Sequence, residues 1–244
     1  QIRAYCAGDI HVESEYFTDN PKNKPIKLFE FSRKEAEQLK GRFDAIATIP
    51  SNQKIILIKN EKNDGFAEGN NIAIRFAINV LEPEYFTLLN NDTVVENNFL
   101  NEFVRFIYKK DEVAGLNPIV YYYSDPKRIQ TMGVALQKNF FNRIGIPLTR
   151  VTDFQWIKSG ELDSQENSAP LRVDSLIGCC IFIKADVVKK LGLMDPQFFV
   201  YHEESDWLFR IAKKGYSYYC IPQSKIWHKY SMSSKNSFFP VSLY

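Results

Sequence analysis

The sequence predicts an α/β fold: an open, mainly parallel sheet flanked by helices. Short apolar runs rich in β-formers, such as residues 55–58 and 85–89, alternate with segments of helical periodicity. The helical segments start at capping patterns or stop at glycines, as independent elements do. The chain has 244 residues, 45% of them hydrophobic and 25% charged, which is ordinary globular composition and enough to bury a sizeable core.

Each element has a local cause. Residues 1–8 read as the tail of a helix stopped by Gly8, and residues 18–27, with Pro21 and Pro25, as a polar surface loop. Ser32 and Glu35 form a capping-box pattern that opens a short helix to about Lys40. Residues 55–58 are a buried strand. A glycine-bearing loop at 65–69 leads into a helix on which Ile72, Phe76 and Val80 recur at i, i+4, i+8. Residues 85–89 are a strand, and 96–110 a helix that aligns Phe99, Phe103 and Phe106. A strand or strand pair spans 113–123, and a long polar loop spans 153–170. Then come a buried strand at 176–183, a helix at 185–191 closed by Gly192, and a helix at 205–214 closed by Gly215. The last elements are a strand at 216–221 ended by Pro222 and a short one at 225–227.

Bulk chemistry excludes several classes. The net charge of +2 has no clustered basic face behind it, which argues against a nucleic-acid binder; Lys109 and Lys110 read as a solvated helix end. Cys6, Cys179, Cys180 and Cys220 form no C-x-x-C pair, so zinc and thioredoxin-like chemistry are not expected. Unpaired cysteines in apolar runs suit a reducing cytoplasm. No stretch is long and apolar enough to span a bilayer, and no signal peptide is visible.

Four segments carry chemistry. Asn63-Asp64-Gly65-Phe66-Ala67-Glu68-Gly69-Asn70-Asn71 follows a strand and opens a helix, where ligands of open α/β sheets bind. Gly65 and Gly69 allow close backbone approach, and Asn70 and Asn71 offer amides to a base or sugar; an ordinary glycine turn fits the spacing equally well. Leu88-Leu89-Asn90-Asn91-Asp92-Thr93 delivers a carboxylate to a strand end, suited to a hard divalent cation or to a plain β-turn. Tyr201-His202-Glu203-Glu204-Ser205-Asp206 sets three carboxylates at a helix start behind the aromatic Phe198-Phe199. Burial and like-charge crowding there would raise one pKa toward that of a general base; simple dipole complementarity is the rival account. His228 follows a short strand, with Ser231 three residues on.

In this order the segments resemble family-two glycosyltransferases, especially rhamnosyltransferase-like bacterial and archaeal members. The matching pattern runs from about residue 54 to 231. It is N-x-G-F-A-x-G-N-N, then L-L-N-x-D-T, then the apolar stretch from Gly178 to Lys184. Next come Gly192, Asp195, Phe198, Phe199, Tyr201, Glu203, Glu204, Asp206 and Arg210, and last Pro222, His228 and Ser231. The resemblance implies one GT-A domain over residues 1–244, an open mixed sheet with a Rossmann-like nucleotide half incomplete at its start. Residues 1–110 would form the nucleotide-sugar-binding part and 111–244 the acceptor and catalytic part. Asn63, Gly65, Phe66, Ala67, Gly69, Asn70, Asn71, Asn90 and Asn91 would line the nucleotide-sugar site. Asp92 and His228 would hold Mg2+ or Mn2+. Glu204 would be the base of an inverting transfer, with Glu203 its rival and Asp206 and Arg210 in support. The donor would be a nucleotide-diphosphate sugar and the acceptor a glycan or lipid-linked glycan of the cell envelope, at or near the cytoplasmic face of the membrane. Asn90 stands where the family often has Asp, and Glu204 where it more often has Asp. The family's opening T-Y-N and V-D-N-x-S-x-D strands are missing before Gln1, so both ends read as cut, the second after the aromatic Phe238, Phe239 and Tyr244. A nucleotidyltransferase would want a basic glycine loop that is absent here. A degenerate module that binds a glycan or partner protein without turnover is the rival from another class.

Overall fold

The computed structural model describes residues 1–11, 13–14, 17–18, 20–39, 43–137, 153–199 and 201–229. Lys40, Val200, Ser231 and the aromatic tail therefore lie outside the described residues. The chain divides into two compact units, residues 1–86 with 184–207 and residues 87–183 with 208–244.

The first unit begins with α1 (Ile2–Ala7), whose last carbonyls are closed by Gly8 in the left-handed region, as expected from a glycine stop. A small hairpin pairs β1 (Glu13–Ser14) with β2 (Phe17–Thr18). Strands β3 (Lys27–Ser32) and β4 (Lys54–Lys59) pair in parallel, Phe29 opposite Ile56 and Phe31 opposite Ile58. The Ser32–Glu35 capping box forms in full and opens α2 (Arg33–Gln38). A short α3 (Asp44–Ala47) follows. Helix α4 (Gly65–Val80) lays Phe76 and Val80 against Ala36 and Ile46, with Phe29, Phe31, Ile56 and Ile58 packed round them. β4 is half-buried rather than fully buried, because its side chains meet this cluster on one face only. Helix α6 (Ala185–Leu191) ends at Gly192 as its sequence requires.

The second unit is built on a seven-stranded sheet. Its path runs β11 (Leu171–Val173), β13 (Ser217–His228), β7 (Val113–Tyr122), β12 (Cys180–Lys184), β5 (Tyr85–Leu89); β6 (Thr93–Val95) adds to β13 and β8 (Asp125–Thr131) to β7. The sheet is mixed rather than mainly parallel. β13 and β7 are parallel, while β12, β11, β6 and β8 each pair antiparallel. Strand–helix alternation cannot reveal this, because only the connections fix direction. β7 is buried from Val113 to Tyr121, as a central strand covered on both faces should be. Helix α5 (Phe99–Ile107) buries Phe99, Phe103 and Ile107, and Phe103 stacks on Phe182 at 5.0 Å between centroids; Phe106 is instead half-buried against Tyr219.

Three further expectations change. Residues 216–227 are not two strands but one: β13 continues past Pro222, and its register with β7 shifts between Ile221 and Lys225, where a bulge tolerates the missing N–H. The polar stretch from 153 contains β10 (Asp153–Trp156), which pairs with β9 (Val134–Gln137), and a 3-10 turn (Gln165–Ser168). The strand expected at 176–183 starts only at Cys180, after a turn at Gly178-Cys179. All four cysteines are free and buried. Among the described residues no helix is long and apolar enough to cross a membrane.

Candidate active site

Within the second unit the sheet joins two of the sequence motifs. β5 ends at Leu89, and the chain turns through Asn90 to Asp92; the Asn90 N–H donates to the Cys179 carbonyl at 3.0 Å, and the Thr93 hydroxyl donates back to the Asn90 carbonyl at 2.7 Å. β6 then pairs antiparallel with the end of β13, Thr93 opposite His228, and the Lys229 N–H donates to the Asp92 carbonyl at 2.9 Å. Register alone thus sets the Asp92 carboxylate against the His228 ring, with Nε2 3.3 Å from Oδ1.

The ring's orientation is fixed on its other side. His228 Nδ1 lies 3.0 Å from Oε1 of Gln130, which is itself buried. With the Gln130 carboxamide oxygen as acceptor, Nδ1 carries the proton, and in that tautomer Nε2 turns its lone pair toward Asp92. Burial pushes the His228 pKa down, and the pull of the Asp92 carboxylate in the other direction does not restore it. The 3.3 Å approach lacks hydrogen-bond geometry, and Asp92 Oδ1 is buried with no hydrogen-bond partner. A buried carboxylate oxygen facing an imidazole lone pair calls for a cation between them. One hard oxygen and one imidazole nitrogen suit Mg2+ or Mn2+. Among the described residues no group of three or more acidic, histidine or cysteine side chains is placed to hold a metal ion by itself. The fit is therefore to a cation that shares its remaining positions with water and ligand oxygens, not to a closed protein cage. Asn90 is half-buried and Asn91 exposed beside this pair.

Within the first unit the other two motifs meet. Residues 65–69 form the first turn of α4 rather than a loop before it, so Phe66, Ala67, Gly69, Asn70 and Asn71 all lie on the helix. The Asn63 side chain accepts from the Gly65 N–H at 3.0 Å. Gly65 has φ of 84°, and a Cβ there would sit 2.2 Å from the Phe199 carbonyl oxygen, which accepts from the Phe66 N–H at 2.9 Å. The close approach that needs this glycine is thus to the chain's own aromatic segment. At Gly69 an added Cβ would meet nothing within 4 Å. Asn71 is buried, and its carboxamide exchanges two hydrogen bonds with the Met194 backbone, while Asn70 donates to the Phe66 carbonyl. Ala67 is buried in the helix interior. Asp64 and Glu68 bind Arg33 at 2.7 and 2.6 Å. Burial works to raise the Glu68 pKa, but Arg75 and Arg33 hold it below the usual range.

The acidic motif opens α7 (Glu203–Ala212). The two residues before it, Tyr201 and His202, both have left-handed backbones, at φ of 70° and 71°. Such conformations cost non-glycine residues about 1–3 kcal/mol each and cluster at functional sites. Nothing in the sequence signals them, since neither residue is glycine or asparagine. Glu203 is only 4% exposed, and its Oε2 is buried without a partner. Burial raises its pKa; its own backbone N–H opposes this, and the charge of Glu204 adds to it. Glu204 and Asp206 are half-buried. Trp207, fully buried, donates from its indole to the Gly192 carbonyl at 2.8 Å and locks the start of α7. The structure therefore joins 63–71 with Met194 and Phe199 in one unit and 90–92 with 228 in the other.

An open mixed sheet flanked by helices is the architecture of the GT-A class of fold. A solved structure of GalNAc-T7 with UDP, GalNAc and Mn2+ shares it, with a TM-score of 0.54 and 14% identity over 83% of this chain and 43% of that one. The chain belongs to the family described as glycosyltransferase like family 2, whose pattern matches residues 19–240. A curated relative, the low-salt glycan biosynthesis hexosyltransferase Agl10 of Haloferax volcanii, is 25% identical over 169 residues, 68% of this chain and 48% of that protein. The chain thus spans about half the length of the curated relative it matches. The A197 protein from STIV also aligns, over 83% of this chain and 85% of that one, at 14% identity and a TM-score of 0.44.

Proposed function

We propose that this domain transfers a sugar, with inversion, from a nucleotide-diphosphate donor to a glycan or lipid-linked acceptor of the cell envelope. The observation that carries the proposal is the Asp92–His228 pair, whose buried, unpartnered carboxylate oxygen faces a ring held by Gln130. Asp92 and His228 would hold Mg2+ or Mn2+, which supplies positive charge to offset that building on the departing diphosphate. The GalNAc-T7 structure, which holds UDP and Mn2+, supports the same chemistry by analogy of fold. Residues 63–71, with Asn90 and Asn91, would line the donor site, Asn71 indirectly through its hold on Met194. Glu204 would accept the acceptor hydroxyl's proton as the anomeric carbon is attacked in line. Buried Glu203 is the rival base, since its pKa already moves toward working pH. Asp206 and Arg210 would support the loop. Residues 1–110 and 111–244 divide the donor and acceptor duties in this reading, and the work is done in the cytoplasm, either free or at the cytoplasmic face of the membrane.

Calorimetric titration with UDP, dTDP and GDP, with Mn2+ or with a chelator, tests the reading. Metal-dependent binding of one nucleotide, lost in Asp92→Ala, is expected, followed by transfer in a donor-sugar screen. Binding indifferent to chelator would remove the metal role. Glycan binding with no turnover of any donor would make the domain a non-catalytic binding module.

A further inference from the structure

The second unit holds a cavity of about 420 Å³ whose lining includes none of the residues proposed for transfer. Side chains alternate along a strand, and residues paired across neighbouring strands share a face. His228 pairs with Tyr122 and Ile226 with Val120, whereas Trp227 pairs with Tyr121 and Lys225 with Ile119. The cavity is lined by Ile119, Tyr121 and Lys225, so it opens on the face of β13 turned away from His228.

Its floor is apolar: Ile119, Pro222 and the ring of Tyr121, which stacks near-parallel on Trp227 at 6.1 Å. Its wall is polar and comes from residues 163–168. Three bonds tie wall to floor and to the neighbouring strands. The Tyr121 hydroxyl donates to Asp163 Oδ2 at 2.7 Å, the Asp163 N–H donates to the Lys127 carbonyl at 2.9 Å, and the Gln223 amide donates to the Ser168 carbonyl. Burial and the Asp163 carboxylate push the Tyr121 hydroxyl far up, so it stays a donor. Asn167 donates to the other Asp163 oxygen at 3.3 Å. The cavity is therefore preformed, and its volume lies within the range of small-ligand sites.

The groups left to face a ligand are of mixed role. They are the hydroxyls of Ser164 and Ser168, the Lys225 ammonium, and the spare lone pairs and N–H groups of Asp163, Asn167 and Gln223, each of which already makes one of the wall's own hydrogen bonds. Donors and acceptors this closely interleaved match vicinal hydroxyls, each of which gives and takes a hydrogen bond. The floor is nearly closed, Ile119 and Tyr121 being 1% and 3% exposed, so it offers a sugar ring only a narrow apolar edge. A phosphate or other compact anion fits worse, because a carboxylate stands in the wall. We propose that this cavity is a second carbohydrate subsite, holding one pyranose unit of a glycan away from the Asp92–His228 pair. The subsite does not depend on the transfer reaction.

The test is a titration of the 15N-labelled chain with the methyl glycosides of glucose, galactose, mannose and N-acetylglucosamine, and separately with inorganic phosphate. Saturable shifts of the Asn167 and Gln223 side-chain amides are expected with at least one glycoside. Asn167→Ala should weaken the effect about tenfold, or ~1.4 kcal/mol. Gln223→Ala, at an exposed position, provides a second variant that keeps the fold. Asp92→Ala should leave the shifts unchanged, while nucleotide binding, read separately by calorimetry, tests the transferase reading. Absence of shifts with every glycoside, shifts with phosphate alone, or shifts that persist in both cavity variants would each overturn the proposal.

Discussion

At the scale of single residues, the acidic motif sets two neighbouring carboxylates in different environments. Glu203 is buried with an unpartnered oxygen, and Glu204 next to it is half-buried. If Glu204 is the base, Glu204→Gln should spare nucleotide binding and cut turnover by about 10² or more, the scale of general-base loss. If the cut appears in Glu203→Gln instead, the role moves one residue. Steady-state kinetics on both variants decides. Stability gives Glu203 a separate signature. Its folded pKa is raised above 4.5, so ionising it costs more in the fold than in the open chain. That penalty is absent below the unfolded pKa, grows as pH rises through the folded value, and is constant above it. Glu203→Gln should therefore melt higher than the parent at neutral pH, with the gap closing as pH falls below 4.5; thermal melts across pH read it directly.

At the scale of elements, the capping box of α2, the glycine stops of α1 and α6 and the strand at 85–89 were legible, because each is fixed by chemistry within a few residues. The continuity of β13 through Pro222 was not, since proline ends a strand unless a partner's bulge accommodates it, and partners are not written locally. The structure groups the motifs two by two, one pair in each unit. The contacts that hold them were not legible: Asn71 grips Met194, and Gly65 yields to the Phe199 carbonyl, both contacts from distant sequence. The Gln130 partner of His228 left no sequence signal at all. Gly65→Ala should destabilise the first unit by about 1–3 kcal/mol or more, because it adds strain at positive φ to a backbone clash. Chemical denaturation would show a lowered midpoint, and an unchanged one would mean that the Phe199 segment moves aside at little cost.

For the whole molecule, two compact units each join two of the four motifs, and the family and GT-A fold follow from the match over residues 19–240 and from the shared architecture. The linkage between ligand and folding gives a test that needs no acceptor. A nucleotide diphosphate with Mn2+ at 100 times its dissociation constant should add about 2.7 kcal/mol to stability. Thermal melts should show that gain disappear with a chelator and in Asp92→Ala. A gain from nucleotide alone, indifferent to the metal, would count against the Asp92–His228 assignment.

The bulge in β13 has a consequence for how this domain can vary. The two-residue period of a strand has no slack, so gaining or losing one position after Lys225, where regular pairing resumes, would turn every later side chain over. His228 would then exchange sides with Trp227, and both surfaces of the sheet would lose their chemistry in one event. Changes of length are therefore expected at the bulge itself, where four steps along β13 from Ile221 to Lys225 already meet one step along β7, and not beyond it.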